Sequence, residues 1–275
     1  MTGKTAIITG GAGAIALALA KLLEKQGYTP VLVDFDEARL EAAAASLTGT
    51  VRIERADLID RIDLERIAAL VETTPDLELL VNAAGIIRPG TVAALAYDDL
   101  QRHVAVNLLA PMRLAQAAAR AMVPRRQGCI LSIVSVAALV ALPGSAAYSA
   151  SKFGLRGFQI ALAQELAGSG VKVRGVFPGA VDTPMLRYEA THGGSPLNFL
   201  NKDVLTAEQV AAACLRAIDG KRLETFVPYA DGLSGRLAAA FPGLLAPLLP
   251  YLERQGRKGL QRFLASRGLS AASDR

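Results

Sequence analysis

Short apolar or β-branched runs alternate along this chain with longer alanine- and leucine-rich stretches of helical period. The runs at residues 5–9, 30–34, 51–56, 77–82, 129–135, 171–177 and 224–227 read as strands. Between them, helical spacing predicts helices near 14–26, 36–46, 60–73, 98–123, 147–168 and 206–219. The runs at 5–9, 30–34, 77–82 and 129–135 are mostly continuous apolar rather than alternating, which requires burial on both faces. Strict β/α alternation with such strands predicts a single α/β domain built on a doubly wound parallel sheet. No internal repeat or low-complexity linker interrupts residues 1–230; the alanine runs at 42–45 and 117–119 are strong helix formers.

The bulk numbers agree. A chain of 275 residues, 52% hydrophobic and 20% charged, buries one large core. Its net charge of +5 is uneven, because residues 231–275 hold seven basic and three acidic side chains. The body is close to neutral and presents no basic groove for nucleic acid. Cys129 and Cys214 both fall in apolar or helical runs and read as small buried residues, with neither a disulfide nor a metal site expected. Lys4 and the apolar stretch to Ala20 imitate a secretory signal, but Gly10, Gly11 and Gly13 interrupt it. No stretch reaches the roughly 20 apolar residues of a spanning helix. A reducing, cytoplasmic setting is expected.

In a doubly wound sheet, ligands collect beyond the carboxyl ends of the strands, so the residues just after each strand carry the chemistry. The first strand is followed by "TGGAGAIA" at residues 9–16, a glycine turn leading into a helix, which is the local structure that cradles a pyrophosphate. The second ends at Asp34, 21 residues beyond Gly13, close to the spacing at which a carboxylate accepts hydrogen bonds from an adenosine ribose. Asp57 follows the third, and "NAAG" at 82–85 follows the fourth, its small residues admitting a flat ligand. Ser135 ends the fifth, and "PGAVDTP" at 178–184 follows the sixth.

The most chemical of these signals is Ser135 followed by Tyr148 and Lys152 in "YSASK". An interval of four sets the phenol and the ammonium on one helix face. A tyrosine titrates near ~10, and a neighbouring cation is expected to lower that value and make Tyr148 a proton relay.

Taken together, the glycine turn, Asp57, "NAAG", Asn107, Ser135, "YSASK" and "PGAVDTP" make the chain resemble the classical short-chain dehydrogenases/reductases over about residues 3–230. The resemblance implies a Rossmann-type, seven-stranded, single-domain fold and an oxidoreductase acting on a CH–OH group. It implies that Ser135 holds the substrate oxygen and Tyr148 moves the proton. Lys152 would tune Tyr148 and bind the nicotinamide ribose, and Asn107 would shape a proton-relay water chain. Thr9, Gly10, Gly11, Gly13, Ala14, Ile15, Asp34, Phe35, Asp57, Leu58, Asn82, Ala83, Ala84 and Gly85 would receive the dinucleotide. Pro178, Gly179, Val181 and Thr183 would join Tyr148 and Lys152 around the nicotinamide. The family is usually dimeric or tetrameric, so a homodimer or homotetramer is expected.

The glycine turn departs from the family's usual T-G-x-x-x-G-I-G, with Ala14 and Ala16 standing in place of two glycines. In the register G-x-G-x-x-A, Gly11, Gly13 and Ala16 still fit, so the loop is expected to work, with the Ala14 methyl crowding the pyrophosphate. Asp34 followed by Phe35 favours NAD(H) over NADP(H), because a carboxylate accepts the ribose hydroxyl and repels a 2′-phosphate. Arg39 reads as a solvated helix residue.

The segment between Ser135 and Tyr148 is apolar or small except for Ser145, and Met185, Leu186, Tyr188, Leu197 and Phe199 follow the nicotinamide loop. That lining predicts a bulky apolar secondary alcohol and its ketone, under a lid hinged at Gly193 and Gly194, with Arg187 and His192 on the surface. The alternatives are an NADP(H)-dependent 3-oxoacyl-thioester ketoreductase and a non-catalytic dinucleotide sensor.

Residues 231–275 read as a separate helical extension of apolar and basic character. It carries leucine pairs at 244/245 and 248/249 among prolines 242, 247 and 250, with glycines 256 and 259 further on. Those prolines and glycines argue against a long regular helix. Packing on the pocket or another subunit is the first reading of this extension, peripheral membrane contact the second, and a disordered tail the third.

Overall fold

The computed structural model describes residues 3–201, 203–241, 243 and 246–270. Among them, β1 (Lys4–Thr9), β2 (Tyr28–Asp34), β3 (Arg52–Arg55), β4 (Leu77–Asn82), β5 (Gly128–Ile133), β6 (Val171–Pro178) and β7 (Glu224–Val227) form one sheet in the order β3-β2-β1-β4-β5-β6-β7. Every pairing is parallel. The doubly wound sheet read from the alternation is the fold observed.

Side-chain parity along the strands explains the layers. Ala6, Ile8, Leu32, Leu79, Val81 and Leu131 pack against α1 (Ala14–Lys25), α2 (Glu37–Ala45) and α8 (Ala207–Asp219) through Leu19, Leu23, Leu40, Val210 and Cys214. Their neighbours Ile7, Val31, Val33, Leu80 and Ile130 face α3 (Arg61–Thr73), α5 (Ala110–Met122) and α6 (Ala146–Glu165), meeting Ile67, Val71, Leu114, Met122 and Leu162. Both cysteines are buried and unpaired, and burial pushes each thiol up to about 12, which leaves them inert. Strand order reverses between β1 and β4, whose last residues Thr9 and Asn82 stand side by side. In doubly wound sheets a crevice opens at such a reversal.

Several boundaries depart from expectation for local reasons. The helix expected over 98–123 is α4 (Tyr97–Val104), a π turn (Ala105–Leu109) and α5 in succession. Asn107 lies in that turn and is drawn onto the backbone of Ile86. β5 stops at Ile133, so Ser135 lies past the strand; its hydroxyl accepts the N–H of Ala137 at 3.0 Å and caps a short turn (Val136–Ala138). Beyond β6, α7 (Pro184–Thr191) was not read from the periodicity, although Thr183 as N-cap and Pro184 in its first turn are start signals. Gly194 donates to the Glu189 carbonyl at 2.8 Å, and Gly193 takes a φ of +77°, so these two glycines close the last turn of α7.

The largest correction concerns the extension, which contains α9 (Tyr229–Ala240) and a 19-residue α10 (Leu249–Arg267). Pro250 falls in the first turn of α10, where an N–H has no partner to lose. Gly256 and Gly259 do not break the helix. They lie where it crosses the turn Pro196–Phe199, and a Cβ at either would run into the carbonyls of Pro196 and Phe199. Close backbone packing offsets their lower helix propensity, about 1 kcal/mol each. The rings of Phe199 and Phe263 meet at 5.0 Å. Pro242, Leu244 and Leu245 lie outside the described residues.

Candidate active site

The turn after β1 is shaped by contacts that no side chain tolerates. Gly10 takes a φ of +63°, and a Cβ there would strike the backbone of Ala83 and Ala84 at 2.8–3.0 Å. Gly11 donates to the Val33 carbonyl at 3.0 Å and lies flat on Leu32. Thr9 explains the neighbouring loop, since its Oγ1 accepts the N–H groups of Ala83 and Ala84 at 3.1 and 3.2 Å. Gly13 is the N-cap of α1 and offers no side-chain oxygen, so the first N–H groups of that helix, including those of Ala14 and Ile15, stay free for an anion. Buried beside them, Asn82 Oδ1 has no hydrogen-bond partner among the described residues. An anion cradle and an orphaned buried acceptor together fit a dinucleotide.

At the end of β2, Asp34 is buried and its carboxylate accepts N–H groups from Ala12 (3.2 Å), Phe35 (2.9 Å) and Asp36 (3.4 Å). Phe35 is exposed. Arg39 is more than a solvated helix residue, because its Nη2 reaches back to the Ala12 carbonyl at 3.2 Å. A guanidinium therefore shares this edge with Asp34. Asp57 is drawn into its own turn, accepting the Ile59 N–H at 3.0 Å, and Leu58 is buried behind it.

Ser135, Tyr148 and Lys152 converge beyond β5. Lys152 is 4% exposed, its Nζ donating to the Ile133 carbonyl at 3.1 Å and lying 5.7 Å from the centre of the Tyr148 ring. Burial lowers the Lys152 ammonium to about 8. For Tyr148 the expected direction is reversed: burial pushes the phenol above its ordinary value, the Glu189 carboxylate adds to that, and only the Ser135 hydroxyl pulls it down. Desolvation decides the direction, and the Lys152 ammonium near the ring does not reverse it.

Asn107 connects this centre to the crevice. Its Oδ1 accepts the Ile86 N–H at 2.9 Å, and its Nδ2 donates to the Ile86 carbonyl at 3.0 Å and Ser151 Oγ at 3.1 Å. Both amide hydrogens are thus engaged, and the side chain pins the loop after "NAAG". Gly85 fits between this amide and Lys152, where a Cβ would come within 3.4 Å of Asn107 Oδ1 and 3.8 Å of Lys152 Nζ.

The far wall is the loop after β6. Gly179 donates to the Val227 carbonyl at 2.8 Å, following Pro178, and Val181 is buried where it bridges to Leu205. Thr183 caps α7, with its Oγ1 also donating to the Val181 carbonyl at 3.3 Å. Asp182 binds Arg187 and, from α10, Arg267 at 2.7 Å. On the inner face of α7 lies Glu189, 9% exposed, with Asn198 as its one side-chain partner among the described residues at 3.3 Å and with burial raising its carboxyl to about 7. Sequence reasoning passed over Glu189, Asp182 and Arg267. A lone acidic residue among the apolar positions of 184–200 was the one available signal, and the Asp182–Arg267 pair spans 85 residues.

Comparison with known proteins agrees with this geometry. The family described as short chain dehydrogenase matches residues 4–193. The chain is 32% identical over 185 residues to a 3-oxoacyl-[acyl-carrier-protein] reductase of Rickettsia prowazekii, covering 67% of this chain and 76% of that one. A short-chain dehydrogenase from Sphingobium yanoikuyae solved in complex with NADPH superposes with a TM-score of 0.76 at 28% identity, covering 88% of this chain and 95% of that one. The bulky-bulky ketone specific alcohol dehydrogenase from Comamonas testosteroni superposes at 0.75 with 26% identity, covering 90% and 95%.

Proposed function

The chain belongs to the short-chain dehydrogenase/reductase family, an NAD(P)-dependent oxidoreductase of CH–OH and ketone groups, and from that premise we propose that it interconverts a bulky apolar secondary alcohol and its ketone with NAD(H). One observation carries the reading: the Tyr148 phenol stands beside the Ser135 hydroxyl past the end of β5, with the Lys152 ammonium behind its ring.

The residues divide the work as follows. Thr9, Gly10, Gly11, Gly13 and the free N–H groups at Ala14 and Ile15 would hold the pyrophosphate of a nicotinamide dinucleotide. Asp34 would receive its adenosine ribose, and Val181 and Thr183 its carboxamide. Bound there, the dinucleotide would supply or accept the hydride. Ser135 Oγ already accepts the Ala137 N–H, which leaves its own hydrogen for the substrate oxygen. Tyr148, kept protonated by burial, donates from Oη to the carbonyl oxygen during reduction and takes the proton back during oxidation. Lys152 offsets the charge of the phenolate left behind.

The apolar substrate class is supported by the bulky-ketone specificity named for the Comamonas enzyme; Leu186 and Phe199, read from the sequence as lining, are instead buried in one cluster with Phe263 of α10. Screening apolar and polar secondary alcohols for NADH formation tests it; turnover confined to polar alcohols overturns it. A second reading, an NADP(H)-dependent 3-oxoacyl-thioester ketoreductase, is favoured by Arg39 at the Asp34 edge and by the Rickettsia relative. Turnover of a 3-oxoacyl thioester exceeding that of every free ketone would select it.

A further inference from the structure

The last two helices turn unlike surfaces outward. On α9, Gly232 and Gly235 face the body: a Cβ at 232 would run into the Phe226 ring, and one at 235 would meet Leu139 at 3.1 Å. Helical period then directs Tyr229, Leu233 and Leu237 away from the body, 63%, 63% and 66% exposed, with Phe241 continuing the line. On α10, Gly256 and Gly259 lie on the body, which turns Arg254, Lys258 and Arg262 outward. These three cations, spaced i, i+4, i+8, have no ion-pair partner among the described residues, whereas Arg257 is paired with Glu253 at 3.5 Å. Leu248 and Tyr251, at the start of α10, are exposed as well. Asn201, just past the turn beneath α10, donates to Asp231 of α9 at 3.4 Å and ties the two regions together.

Like charges at i, i+4 repel one another and are stable only where an anionic partner or water takes them. Four large apolar side chains along one helix face instead seek a nonaqueous neighbour. A second copy of the chain packing on the α9 line would cover the apolar side chains but bring no anion to the α10 cations, since Glu253 is already paired with Arg257. An anionic bilayer satisfies both demands, with the apolar line entering the acyl boundary and the cations meeting lipid phosphates. The contact is peripheral, since no described helix is long and apolar enough to cross a membrane.

We propose that α9 and the outer face of α10 form a docking surface for an anionic lipid membrane. Docking holds against the bilayer the two segments that flank the candidate site, residues 139–140 beneath α9 and Pro196–Phe199 beneath α10. This surface stands independently of the identity of the substrate.

The test is co-sedimentation of the full chain with vesicles of mixed phosphatidylglycerol and phosphatidylcholine, against vesicles of phosphatidylcholine alone. Binding to the anionic vesicles that weakens with added salt is expected. Arg254→Gln/Lys258→Gln/Arg262→Gln is expected to weaken partition about a hundredfold, and Leu233→Ser/Leu237→Ser about tenfold or more. Wild-type protein that stays in the supernatant, or that binds both vesicle types alike, overturns the proposal whatever the variants do. So does a leucine variant that binds vesicles unchanged but has a smaller mass by light scattering, an outcome that assigns the face to contact between copies.

Discussion

The Lys152 ammonium lies 5.7 Å from the centre of the Tyr148 ring and donates to the Ile133 carbonyl at 3.1 Å. Burial, with the Glu189 carboxylate, nonetheless holds the phenol above its ordinary value, so Tyr148 rests protonated. Tyr148→Phe is expected to lower kcat by about 10²–10⁴-fold while leaving dinucleotide binding intact, as measured by steady-state rates and NADH fluorescence titration. Unchanged turnover would remove Tyr148 from the mechanism.

Lys152 also sets a pH dependence. Its folded pKa is depressed from 10.5 to about 8, so between those values the unfolded chain holds a proton that the folded chain has released. Stability is therefore expected to rise with pH across that window. Lys152→Met removes this slope in denaturant titrations. The rate of ketone reduction is expected to fall as pH rises through about 8, because the cation behind Tyr148 is lost.

Glu189 works in the opposite sense. Its folded pKa is raised from 4.5 to about 7, so the folded chain holds the extra proton and stability falls as pH rises between those values. Glu189→Gln should be more stable than wild type at and above pH ~7 by roughly 1–3 kcal/mol, and should lose that advantage at pH ~4.5. Parallel urea curves at the two pH values measure the difference.

Cofactor choice rests on Asp34 and Arg39. NAD is expected to exceed NADP in kcat/KM on a common alcohol, because a carboxylate repels a 2′-phosphate. Arg39→Ala is expected to leave the NAD value within about twofold and lower the NADP value about tenfold. A preference for NADP in the wild type reverses the assignment.

The Ala14 methyl sits at the first position of α1, at the proposed pyrophosphate site. Ala14→Gly is expected to tighten dinucleotide binding up to about tenfold, partly offset by about 1 kcal/mol of lost helix propensity. Equal Kd values by calorimetry would show the methyl to be harmless.

Gly259 lies directly on the Phe199 carbonyl. Gly259→Val is expected to lower stability by about 1–3 kcal/mol and to raise KM for the apolar substrate while sparing dinucleotide affinity. Thermal melts and substrate titrations separate these effects.

Much of this protein was legible in its sequence, because the relevant physics is local. Apolar runs bounded by turns specify buried strands, and strand–helix alternation specifies a parallel sheet. Gly10 and Gly13 mark a turn that must bend sharply before a helix, and the four-residue interval sets Tyr148 and Lys152 on one face. Tertiary structure alone decided matters that depend on residues distant in the chain. Arg39 reaches Ala12, Asn107 is exhausted on Ile86 and Ser151, and Arg267 crosses to Asp182, all through contacts that periodicity does not encode. Local propensity pointed the wrong way twice. Gly256 and Gly259 read as helix breakers until the carbonyls of Pro196 and Phe199 supply the close packing that only glycine allows. Lys152 was expected to lower the Tyr148 phenol, but desolvation depends on everything packed around the ring, and that sum exists only in the folded chain.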